Sequence, residues 1–145
     1  MPTHKEVARN YVAQTGKAQR GYAMFYDGPL VFSYGRHFTI AKLFPKLGIA
    51  LVTTRGYSVS TAKHIGIIRN ALIRSPYKVI MVSDPNAFTP EQAVANYRGM
   101  LADALDARIK AERARLQVYR EMHASRAADI CRDAETYRAA FGVTL

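Results

Sequence analysis

The sequence predicts an α+β fold: a small, mostly antiparallel sheet with one or two packed helices, followed by a long C-terminal helical segment, bent or folded into a hairpin. Three observations carry this reading. An Asp27-Gly28 pair separates two apolar, aromatic-rich runs, the strongest short-range hairpin signal because glycine accepts a positive φ. Seven of the nine glycines lie before Ser83, among most of the β-branched and aromatic residues. From Pro90 to Phe141 the chain turns Ala- and Arg-rich with helical spacing, and only Gly99 interrupts it.

The elements follow in order. Val7, Ala8, Tyr11 and Val12 recur at helical spacing between His4 and Gln14, and Gly16 supplies a stop. GKAQRG, Gly16 to Gly21, reads as a basic loop. A strand runs from Gly21 through Tyr26, a turn sits at Asp27-Gly28, and a second strand covers LVFSYG, with Gly35 permitting a bend after Tyr34. HFTIAKLF and GIALVTTR give a third and a fourth strand. Between Ser58 and Arg74 the period changes: Ile65, Ile68, Leu72 and Ile73 fit one helical face, Ser58 or Ser60 can cap it, and Pro76 ends it. YKVIMVS, Tyr77 to Ser83, is a buried strand.

The composition shifts at Ser83-Asp84-Pro85-Asn86, which sets the expected organisation: a basic α+β domain over 1–83 and a helical segment, coiled-coil-like or a hairpin, over 84–145. Thr89-Pro90-Glu91-Gln92 reads as a capping box with proline at the first helical position. Beyond it Val94, Tyr97, Leu101, Leu105, Ile109, Leu116, Tyr119, Ile130, Tyr137 and Phe141 draw one stripe. A single helix of that length would reach ~75 Å, so a fold-back near His123-Ala124-Ser125 is expected, with pairing to a second chain as the alternative.

Charge is distributed unevenly. The chain carries a net +10; residues 1–83 hold twelve Lys and Arg against Glu6 and Asp27, while residues 84–145 hold nine of each sign. Such a surplus suits an acidic partner such as nucleic acid, since phosphate neutralisation releases counterions. Cys131 is the single cysteine, so no intrachain disulfide or cysteine-rich zinc site is possible. No apolar run approaches a membrane span and the N-terminus lacks a signal-peptide pattern. A cytoplasmic protein with no cofactor and no metal is the expectation.

Two polar clusters stand out as candidate sites. In Val31 to Ala41, strand alternation puts Phe32, Tyr34 and Arg36 on one face and Val31, Ser33 and Gly35 on the other. Thr53 to His64, TTRGYSVSTAKH, ends a strand and begins a helix. Brought to one end of the sheet, Tyr34, Arg36, His37, Arg55, Tyr57, Ser58, Ser60, Thr61, Lys63 and His64 would form an anion-attracting polar patch beside a helix N-terminus. Tyr22, Phe25, Tyr26, Phe32, Tyr34, Phe38 and Tyr57 interleave with Arg20, Arg36, Lys42 and Arg55, a composition that suits stacking along a single strand, although most of these aromatics are expected in the hydrophobic core. His37-Phe38-Thr39 resembles the His-x-Thr element of two-histidine phosphoesterases, but His64 is followed by Ile65-Gly66 and no second element matches. HExxH, Walker A, GxGxxG and GxSxG patterns do not occur. Asp103, Asp106, Asp129 and Asp133 lie among arginines at helical spacing, as on a solvated ion-pair face.

FSYGRHFTIA and YSVSTAKHIGIIRNAL together resemble a module of uncharacterised small proteins from bacteriophages and mobile elements: an "SYG-x-H-x-x-IA" strand followed by a "YS-x-ST-x-x-H" strand-to-helix junction. The matching residues are Ser33, Tyr34, Gly35, His37, Ile40, Ala41, Tyr57, Ser58, Thr61 and His64, and the likeness spans about residues 20–75. It implies a phage-type accessory protein acting on host nucleic acid or on a host defence complex. The leading expectation is a non-enzymatic binding protein engaging nucleic acid or a host nucleoprotein complex through the basic half, with a homodimer through the C-terminal helix. The alternatives are an anti-CRISPR-like inhibitor that binds a host defence protein, and a small phosphoesterase-like enzyme using His37 and His64.

Overall fold

The computed structural model describes residues 1–145 except Tyr57, Phe88 and Leu145. The architecture is α+β, with a six-stranded, mostly antiparallel sheet and four helices. The chain divides into two compact units, Met1–Asn86 and Ala87–Leu145.

In the first unit, α1 (His4–Ala13) is followed by β1 (Ala18–Arg20), β2 (Met24–Asp27), β3 (Leu30–Ser33), β4 (Thr39–Phe44), β5 (Ile49–Thr53), α2 (Val59–Ile73) and β6 (Lys78–Val82). The strands lie side by side in chain order. β1 to β5 pair antiparallel through tight turns, whereas β5 and β6 run parallel, which requires the α2 crossover between them. At the β2–β3 turn Asp27 pairs with Leu30, and Gly28 takes φ +58° at the first central position. GKAQRG, expected as a loop, contains β1: Arg20 pairs with Phe25 across the edge of the sheet. A three-residue strand gives too short an alternation to be seen in sequence. Gly21 closes the turn after it, and a Cβ there would meet Val7 Cγ2 and the Met24 carbonyl oxygen at 3.0 Å.

The core of this unit lies between the helices and one sheet face, where Val7, Tyr11, Met24, Tyr26, Val31, Ile40, Val52, Ile68 and Leu72 pack together. Tyr11 and Tyr26 keep their hydroxyls satisfied on the Pro29 and Thr15 carbonyls. The buried stripe of α2 is Thr61, His64, Ile68 and Leu72. This corrects the expected register, since Ile65 is only partly buried and Ile73 is 58% exposed. A histidine and a threonine stand where the apolar pattern was sought.

The second unit is a helical hairpin of α3 (Pro90–Arg113) and α4 (Gln117–Phe141). Thr89 and Gln92 form the capping box, each side chain bonding the other's backbone N–H. The fold-back falls at Ala114–Leu116, not at His123–Ser125. Ala114 and Leu116 adopt extended backbone, and the Arg120 side chain donates to the Ala114 carbonyl. No glycine or proline marks this turn, and His123 lies inside α4. The seam keeps Tyr137 from the expected stripe but is otherwise built of Met100, Ala104, Ala107, Ala127 and Ala134, while Leu105, Leu116 and Tyr119 stay half exposed. Alanines let two helices approach closely, and Asn96 donates to the Tyr137 hydroxyl within the buried seam at 3.1 Å.

Candidate functional site

Ser33 ends β3 on the face that meets the helices, because alternation carries it to the same side as Val31. His64 sits one turn before Ile68 on the buried stripe of α2. Ser33 Oγ lies 2.7 Å from His64 Nδ1, both residues being at least 97% buried. The ring of Tyr34 leans on His64 at 5.4 Å between centroids, and His4 from α1 meets it edge-on at 4.6 Å. Burial holds the His64 pKa below the usual histidine value, and the nearby His4 and Lys63 add to the effect. Charging this imidazole is unfavourable, so the neutral ring shares a hydrogen bond with the hydroxyl.

The bend after β3 is made by Tyr34 itself, which takes φ +63°. Gly35 was expected to provide that freedom and does not have a positive φ. A left-handed tyrosine costs of order 1–3 kcal/mol and persists only where its surroundings fix it. Here the Tyr34 N–H donates to the Ala23 carbonyl at 2.7 Å, and Gly35 N–H and Phe38 N–H close the turn on Ser33 and Gly35 carbonyls. The flip sets the Tyr34 ring against His64, while Tyr34 still borders, with Gly35 and Arg36, the depression over Arg20 and Phe25.

Ser58 caps α2: its hydroxyl oxygen accepts from the Thr61 N–H at 3.1 Å and its hydroxyl donates to Thr61 Oγ1. Ser60 and Lys63 are exposed on the first turns of α2, and Arg55 is exposed in the preceding loop. Tyr57 lies outside the described residues. His37 is exposed, and its ring stands over Gly35, 2.8 Å from where a Cβ would be. Among the described residues no hydrogen bond or ring contact joins His37 to His64, and general acid–base work by a pair requires both within reach of one substrate.

A different set of residues gathers on the other face of β1–β3. Arg20, Phe25 and Phe32 stand in one cross-strand row. The Arg20 guanidinium lies over the Phe25 ring at 4.7 Å, and that of Arg36 over Phe32 at 5.3 Å and Phe25 at 5.7 Å. Phe25 and Phe32 stack at 5.0 Å beneath them and are buried. Asp27 accepts from Arg36 at 2.9 Å, and Arg20 makes no ion pair among the described residues. Lys42 on β4 lies over Phe44 at 5.1 Å. An open depression of about 530 Å³ runs over Arg20, Phe25, Asp27, Tyr34 and Arg36. A cation pressed on an aromatic face keeps its outer edge free for an anion while its alkyl stem covers apolar surface.

Sequence reasoning assigned Arg36 to the polar patch but left Arg20 and Phe25 as composition, since the three-residue β1 that aligns them was not recognised. Ser33 was placed on the Val31 face by alternation and matched in the resemblance, but was not among the expected site residues. Its signal was a lone hydroxyl in an apolar strand, matched by a lone histidine on an apolar helical stripe. Among the described residues no group of three or more His, Cys, Asp or Glu can hold a metal ion, and no helix is long and apolar enough to cross a membrane. Comparison with protein-family models, with curated proteins and with solved structures gave no match.

Proposed function

We propose that the Met1–Asn86 unit is a non-enzymatic nucleic-acid-binding module, in keeping with the likeness of its SYG and YS-x-ST segments to small bacteriophage proteins, acting on nucleic acid or a host nucleoprotein complex. The observation that carries this reading is the pair of guanidiniums, Arg20 and Arg36, laid over Phe25 and Phe32 on one face of the sheet. The unit holds twelve basic residues against Glu6, Asp27 and Asp84; Asp27 is the acid that lines the depression, and it is already paired with Arg36. Cations backed by aromatics suit a phosphodiester backbone and are tolerant of sequence.

The test is a salt titration of labelled oligonucleotide binding, comparing the native chain with Arg20→Gln/Arg36→Gln. The log–log salt slope is expected to fall by about 0.7 per lost single-strand contact, or about 0.9 on duplex. Equal affinity and slope in both proteins would remove these two residues from the interface.

The hairpin supports a second role, self-association. Leu105, Leu116, Val118, Tyr119 and Met122 are each at least half exposed, and Leu116 and Tyr119 border one open depression with Ile109. With nine basic and eight acidic residues, Ala87–Leu145 is nearly neutral, so two copies meet there without the repulsion the basic unit would bring. Light scattering of the full chain is expected to give a dimer that Leu105→Glu/Tyr119→Glu converts to monomer. A monomeric native chain at ~100 μM, well above the micromolar range of stable contacts, would exclude it.

A further inference from the structure

α1 and α2 pack side by side over the sheet and leave a groove of about 660 Å³ between them. Its floor is apolar. Val12 from α1 and Ile67 and Ala71 from α2 are partly buried, seated on the core below and open to the groove above. Its rim is cationic: Lys5 and Arg9 line one side and Arg74 the other. All three are exposed, none makes an ion pair among the described residues, and no acidic side chain lines the groove. Glu6, the single acid of α1, is engaged with Thr3 at the start of the helix.

We infer that this groove is a docking site for an acidic amphipathic segment of a partner protein. Charge complementarity selects the occupant: three unmatched cations call for carboxylates, and the apolar floor calls for side chains such as leucine spaced i, i+3, i+4 and i+7. A nucleic-acid backbone satisfies the rim but gains nothing from Val12, Ile67 and Ala71. The groove opens between the helices, whereas Arg20 and Arg36 belong to the opposite face of the sheet, so the two sites are independent and one chain can hold nucleic acid and an acidic protein at once.

The probe is a labelled peptide of about 12 residues, roughly three helical turns, with Leu at those positions and Glu elsewhere. It is titrated into the full chain beside a Lys-for-Glu counterpart and a single-stranded oligonucleotide. Saturable binding of the acidic peptide, weakened tenfold or more by Arg9→Glu/Arg74→Glu and unchanged by Arg20→Gln/Arg36→Gln, is the expected result. Both substituted arginines are exposed, and circular dichroism verifies that the helices persist. Absence of acidic-peptide binding, equal binding to the groove variant, or loss of oligonucleotide binding in the groove variant would each overturn the inference. Failure of the Arg20/Arg36 pair to affect oligonucleotide binding bears only on the sheet-face proposal.

Discussion

Truncating Ile68 to alanine is expected to lower the unfolding free energy of the Met1–Asn86 unit by about 2–5 kcal/mol, whereas Ile73→Ala on the same helix is expected to change it by no more than ~0.5 kcal/mol. Ile68 is fully buried with Leu72 among Val31, Ile40 and Val52, so removing its branched end leaves a cavity that the sheet cannot collapse to fill. Ile73 is mostly exposed. The contrast tests the register of α2 directly, because the apolar periodicity alone puts both isoleucines on the buried face. Denaturant melts of the two variants decide it, and similar losses in both would show that the helix is rotated from the arrangement described.

The second large effect concerns Ser33 and His64. Ser33→Ala is expected to cost about 1–3 kcal/mol, since it leaves a buried imidazole nitrogen without its partner. Pairing it with His64→Phe, which removes the orphan and refills the space, is expected to recover much of that loss. The same pair sets an acid dependence. The folded-state pKa of His64 lies below that of an unfolded histidine, about 6.5. The unfolded chain therefore binds the proton first, and the stability held by the neutral ring is complete above pH ~6.5 and is lost as the pH falls towards the lower folded value. In Ser33→Ala/His64→Phe that part of the acid slope is expected to vanish. An unchanged slope in urea melts between about pH 7 and pH 5 would assign the dependence to other groups.

These residues also show what could be read from the sequence. The Asp27-Gly28 hairpin, the capped α2, the β6 strand and the Thr89–Gln92 capping box were legible because each has a local cause in turn chemistry or capping. Three features were not. β1 is too short for an alternation signal. The Ala114–Leu116 turn carries no breaker residue, and its position follows from an alanine seam that a search for large apolar residues passes over. Tyr34 flips because the Ala23 carbonyl and the His64 ring hold it from distant parts of the chain. That flip sets the Tyr34 ring against the buried histidine, while the Arg36 guanidinium lies over Phe32.

Nucleic-acid binding by the Arg20–Arg36 face is tested by an amide NMR titration of the full chain with a short single-stranded oligonucleotide at low salt. The largest shifts are expected in β1, in β2 and from Leu30 to Arg36, with Arg20 and Arg36 side-chain signals moving together and the signals of Arg9, Val12 and Arg74 unmoved. Shifts confined to residues 89–144, or no shifts at millimolar oligonucleotide, would contradict it.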